Sequence, residues 1–108
     1  MVYYISVKDD KKERTKNMKK FIVKDHLVNT KTGEEHTYYM GKDGYVHDDR
    51  TFFYCDGWKR ERFAREYIKK DMNFHLRYSN GKIINDYECF EYDWKHTYEI
   101  LVISGNAD

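Results

Sequence analysis

Two cysteines and five histidines are the residues of this 108-residue chain best suited to chemistry. Zinc sites in small domains draw their ligands from closely spaced Cys and His pairs. His26, His36, His47, His75 and His96 show no CxxC, HxxxH or HxH spacing among themselves or with Cys55 and Cys89. The loop His47-Asp48-Asp49 offers donors to a hard cation, yet three polar residues in a loop ordinarily serve only to solvate it. A thiol nucleophile needs a lowered pKa. Cys89 is flanked by Glu88 and Glu91, which would raise it, whereas Cys55 precedes a predicted helix start, where the helix dipole lowers it. Adjacent acids such as Glu34/Glu35 and Asp48/Asp49 match no hydrolase pattern, and Gly41 and Gly44 bracket a plain turn instead of a phosphate-cradling loop. No catalytic residue, metal ligand or cofactor is therefore assigned. A metal- or thiol-dependent small enzyme, with Cys55 as its best residue, stands as the least favoured of three readings.

Charge is a stronger signal. The net charge is +1, but it is laid out in blocks. Residues 1–24 carry eight Lys/Arg against three Asp/Glu, residues 25–57 three against seven, residues 58–82 eight against three, and residues 83–108 one against six. Within the third block Arg62, Arg65 and Lys69 are spaced i, i+3 and i+7, which places them on one helix face, with Trp58 and Lys59 just before it. In the fourth block Asp86 and Glu88, and then Glu91 and Asp93, are spaced to share a strand face. A basic face of this kind meets a phosphate backbone or an acidic protein, and a row of carboxylates can occupy a basic groove. Pairing of the blocks across the fold would cancel both.

These residues need elements to hold them. Val2 to Val7 is rich in β-branched and aromatic residues and reads as a strand, followed by a basic connection from Lys8 to Lys20. A hairpin spans Phe21–Val28 and His36–Met40 around the turn cluster 29–34, and Tyr45-Val46 and Thr51–Cys55 are strand-like. Asp56 suits an N-cap, and Ala64, Ile68 and Met72 recur at intervals of four, which predicts a helix over residues 57–72. Phe74, Leu76 and Tyr78 alternate with polar residues ahead of Asn80-Gly81, which predicts a strand and a type I′ turn, with a return strand from Ile83 to Tyr92. Trp94–Ser104 holds the most apolar run and is expected to lie centrally, with a frayed tail from Gly105 to Asp108.

Strands, one helix and more strands predict a single α+β domain over residues 1–108: an antiparallel sheet of about five to seven strands with one main helix on one face. A curled half-barrel around the helix would use the same elements. The chain is 40% apolar and 18% aromatic, with eleven tyrosines, which predicts a folded core despite 36% charged residues. Two cysteines, no signal-peptide pattern and no apolar run of membrane-spanning length point to the cytoplasm.

The junction Tyr54-Cys55-Asp56-Gly57-Trp58-Lys59, the following Ala64 and the closing strand Trp94-Lys95-His96-Thr97-Tyr98-Glu99-Ile100 carry a family likeness. The chain resembles the small orphan proteins that phages and mobile elements encode in low-GC bacteria, which include inhibitors of host defence such as anti-CRISPR proteins. The resemblance implies a bacterial host cytoplasm and a non-enzymatic protein that binds and occludes a host nucleic-acid-targeting complex. The expected partner-binding residues are Trp58, Lys59, Arg62, Arg65, Lys69, Asp86, Glu88, Glu91 and Asp93. The alternative is a small DNA- or RNA-binding regulator that uses the basic face of the 57–72 helix.

Overall fold

The computed structural model describes the backbone of residues 2–6 and 19–105 and the side-chain surroundings of residues 19–103. The expected basic connection, apart from Lys19 and Lys20, and the expected tail beyond Gly105 lie outside the described residues. The strands are β1 (Val2–Ser6), β2 (Lys19–Asn29), β3 (Glu35–Met40), β4 (Val46–His47), β5 (Lys82–Asn85), β6 (Glu88–Glu91) and β7 (Trp94–Gly105). One helix, α1, spans Glu61–Tyr78. The expected α+β architecture holds: an antiparallel sheet in the order β4-β3-β2-β7-β6-β5, with α1 packed on one face.

The apolar run at the C-terminal end forms the centre, as its composition requires. β7 pairs along its length with β2, while its other edge is divided between β6 at Trp94–Thr97 and β1 at Leu101–Gly105. Strand alternation then sorts the side chains. Phe21, Val23, Met40, Cys89, Tyr98, Ile100 and Val102 meet Ala64, Ile68 and Met72 of the helix, and Ile22, Tyr39, Leu101 and Ile103 form a second cluster with Cys55 and Phe52 on the opposite face.

Several expectations are corrected. The helix does not open at Asp56. Asp56-Gly57-Trp58 is not helical, and Phe21 and Trp58 exchange two backbone hydrogen bonds of 2.8 Å, so the helix begins only at Glu61 with Arg60 at its N-cap. Residues 52–54 form a short 3-10 turn, not a strand, under the second cluster.

The third correction has the widest consequence. The helix continues past Met72 to Tyr78, through the segment expected as a strand. Phe74, Leu76 and Tyr78 do alternate, but all three are exposed, while the helical stripe Ala64, Ile68, Met72 continues inward through Asp71, His75 and Ser79. Apolar periodicity fails here because the inner face turns polar. Asn80, expected in a hairpin turn, takes a left-handed φ of 53° just beyond Ser79 and ends the helix. The return strand also breaks: Asn85 Oδ1 accepts the Tyr87 N–H at 2.8 Å, so β5 and β6 form their own hairpin.

Gly81 lets that hairpin close on the helix. A Cβ there would stand 2.6 Å from the Phe90 carbonyl oxygen and 3.0 Å from the His75 carbonyl group. Both obstacles are backbone, so Gly81→Ala is expected to lower stability by about 1–3 kcal/mol, read as a reduced urea midpoint.

Candidate functional site

Beneath the C-terminal half of α1 the core is ionic. Asp25 on β2 faces His96 on β7, whose Nδ1 lies 2.9 and 3.0 Å from the two carboxylate oxygens. The other nitrogen of His96, Nε2, lies 2.8 Å from Oε1 of Glu91 on β6. Oε2 of Glu91 in turn stands 3.4 Å from Nδ1 of His75, and Nε2 of His75 stands 3.2 Å from Oδ2 of Asp71, one helical turn back. The Tyr98 hydroxyl donates to Asp71 at 2.5 Å, which ties the helix back to β7. Three carboxylates thus surround two imidazoles, and the rings are stacked with centroids 4.4 Å apart.

The fold puts each of these side chains in place. Asp25 follows Phe21 and Val23 at alternate positions on the inward face of β2, His96 and Tyr98 precede Ile100 and Val102 in the same phase on β7, and Cys89 and Glu91 share that phase on β6. Asp25 and His96 are 5% and 3% exposed, so each is held chiefly by the other, and His96 by Glu91 as well. Burial lowers the His96 pKa, but Asp25 and then Glu91 outweigh it, and the imidazolium form is favoured. For Asp71, burial raises the pKa, while the facing His75 and the Tyr98 hydroxyl more than offset it and hold the carboxyl below its usual range. Burial dominates at Asp25 and raises it despite His96.

Sequence periodicity overlooked Asp25, Asp71, His75, His96 and Tyr98 as a group, although a signal was present. Each is an ionisable residue at a position where the core phase of its element calls for an apolar one.

The expected docking residues separate. Arg62, Arg65 and Lys69 are exposed on one helix face and line a groove of about 460 Å³ between α1 and the β5–β6 hairpin. Met72 and Ile83 supply its apolar lining, and Asp86 and Glu66 also border it. Arg65 pairs with Glu61 at 2.8 Å; among the described residues Arg62 and Lys69 have no ionic partner, and Arg62 lies over the Phe63 ring. Trp58 is not part of this face: it is half-buried against Tyr67, with centroids 5.3 Å apart. Lys59 is exposed ahead of the helix, outside the groove.

The acidic row does not exist as one surface. Glu91 points into the ionic core, and Asp86 sits in the β5–β6 turn. Glu88 pairs with Lys95 at 3.4 Å, and Asp93 with Lys31 at 3.6 Å. The loop His47-Asp48-Asp49, weighed as a hard-cation site and not assigned as one, has its donors directed to separate partners. Asp48 accepts the Arg50 and Thr51 N–H groups, Asp49 accepts the Tyr39 hydroxyl, and His47 faces Asp43.

The thiols are not primed as nucleophiles. Cys55 lies outside the helix N-terminus, and burial, then Asp43 and Asp56, push its thiol up to about 12. Burial, with help from Asp25, Asp71 and Glu91 and against a contact from Tyr98, pushes Cys89 up to about 11. No helix among the described residues is long and apolar enough to cross a membrane. Comparison of the chain with family models, curated proteins and solved structures finds no match.

Two outcomes follow. At about pH 8 the native thiols should alkylate at least about a hundredfold more slowly than the denatured ones, measured by mass spectrometry. In chelator-treated protein, His96 faces Asp25, Glu91, His75, Tyr98 and Cys89, and its raised pKa means that its stabilisation is complete below about 6.5 and is lost as pH rises through the folded value. The urea midpoint should therefore fall from about pH 6 to about pH 8.5, and His96→Gln should flatten that slope.

Proposed function

We propose that the chain is a non-enzymatic binding module of the defence-inhibitor kind carried by phages and mobile elements. It would act by steric and electrostatic occlusion of a partner protein in a nucleic-acid-targeting complex. Its docking face is the groove between α1 and the β5–β6 hairpin. The observation that carries this reading is the pair Arg62 and Lys69, exposed and without ionic partners among the described residues, beside the apolar Met72 and Ile83.

The chemistry of that groove favours an acidic protein segment with an apolar anchor. Cations along one wall steer and orient an acidic partner. The apolar lining supplies the desolvated contact from which interface affinity mostly comes. Bare phosphate backbone fits less well, because Glu66 and Asp86 stand in the same groove and would repel it. Exposed Lys59 and Arg60 just ahead of the helix and Lys70 on it nevertheless add to the groove cations, and this cationic run is what supports the nucleic-acid reading.

The test is a double charge reversal, Arg62→Glu with Lys69→Glu, read against a partner captured from the native host and reconstituted from purified components. Binding should fall by more than about a hundredfold, while the unfolding free energy stays within about 0.5 kcal/mol, as expected of exposed positions. Unchanged binding contradicts the assignment. Retention of single-stranded or duplex nucleic acid by the wild-type chain, with affinity falling steeply as salt rises, transfers the same face to the nucleic-acid reading.

A further inference from the structure

We propose that His75, His96 and Glu91 form a site for a divalent transition ion of the zinc class, buried between α1 and the sheet. One donor atom from each of the three comes within 4.8 Å of the others. The donors of a tetrahedral zinc site stand about 3.3 Å apart, given metal–ligand distances of about 2.0–2.1 Å. The separations of 2.8 Å from His96 Nε2 to Glu91 Oε1 and 3.4 Å from His75 Nδ1 to Glu91 Oε2 bracket that spacing.

The surroundings are those of metal-binding histidines. A ligating imidazole usually gives its second N–H to a carboxylate, which fixes the tautomer and strengthens the donor. His96 is arranged that way, and His75 has a carboxylate 3.2 Å from its second nitrogen, though without hydrogen-bond alignment. His96 turns Nδ1 to Asp25 and leaves Nε2 towards Glu91; His75 turns Nε2 to Asp71 and leaves Nδ1 towards Glu91. Tyr98 fixes Asp71 in turn. Two imidazoles backed by two carboxylates thus converge on the two oxygens of a third.

A network of ion pairs alone accounts for this arrangement less well. Both nitrogens of His75 are buried, and neither contact to its carboxylates has hydrogen-bond alignment; coordination would give Nδ1 the partner it lacks. Positive charge carried as protons on both imidazoles would set two imidazolium rings 4.4 Å apart, where they repel each other. One divalent ion with neutral imidazoles supplies the same positive charge at a single point. Two nitrogens and one carboxylate oxygen suit zinc and its neighbours over calcium or magnesium, and the fourth position falls to water. Glu91, with 29% of its side chain exposed, is the route of entry.

The test uses the full chain stripped with chelator. Cobalt(II) should give the visible absorption of a four-coordinate site, and zinc(II) should compete with a chromophoric chelator for one site per chain and raise the melting temperature. His75→Gln and Glu91→Gln should each weaken zinc at least about a hundredfold, and Asp25→Asn about 10–100-fold. Glu91→Gln decides the matter if His75→Gln does not fold, because Glu91 is the more exposed. His47→Gln is the control, since among the described residues Asp43, His47 and Cys55 form the other group with donors close enough to share an ion. Failure of zinc to compete overturns the proposal, as does binding that survives in Glu91→Gln and disappears in His47→Gln.

Discussion

The contact between Asp25 and His96 constrains the rest of the molecule. Both are almost wholly buried, and they are joined across neighbouring strands at 2.9 Å. Taking charges out of water costs several kcal/mol per ion, recovered only where geometry and further hydrogen bonds are good, and loss of one partner leaves the other uncompensated. The fold meets that demand from three directions. β6 brings Glu91 to the second nitrogen of His96, α1 brings His75 over its ring, and Tyr98 bonds to Asp71. This explains why the helix runs on to Tyr78 and why Gly81 allows the β5–β6 hairpin to close against its last turn.

An ionic inner face also shapes the outer one. Because Asp71 and His75 occupy the inward stripe of the helix, Phe74, Leu76 and Tyr78 face solvent. The helix is held at one end by Ala64, Ile68 and Met72 in the apolar core and at the other by the polar ring. A helix fixed at both ends presents Arg62, Arg65 and Lys69 at set positions, and such pre-organisation lowers the entropy cost of binding. The same residues on a loosely held helix would make a poorer docking face.

Much of the fold was legible from periodicity. The β2–β3 hairpin, the central β7 and the middle of α1 all follow apolar phase, and the Glu61–Arg65 pair closes as its spacing suggests. The failures share a cause: local signals were outweighed by distant contacts. Asp56-Gly57 resembles a helix start, but Trp58 is drawn into a bridge with Phe21, 37 residues earlier. Phe74, Leu76 and Tyr78 resemble a strand because the inward positions of that helix are polar. The basic half of the candidate docking face was readable from i, i+3, i+7 spacing. The acidic half was not, because strand alternation sends Glu91 inward and the turn at Asn85 removes Asp86 from the strand. The buried ring was hidden because its members come from four separate elements.

The central claim is that polar contacts inside this ring fasten the helix to the sheet. A double-mutant cycle on Tyr98→Phe and Asp71→Asn, by urea unfolding in the presence of chelator, isolates the link between β7 and α1. The account predicts a coupling energy of about 1.5–3 kcal/mol, as for a hydrogen bond to a charged group. Additive effects of the two substitutions, with no coupling beyond experimental error, would contradict it.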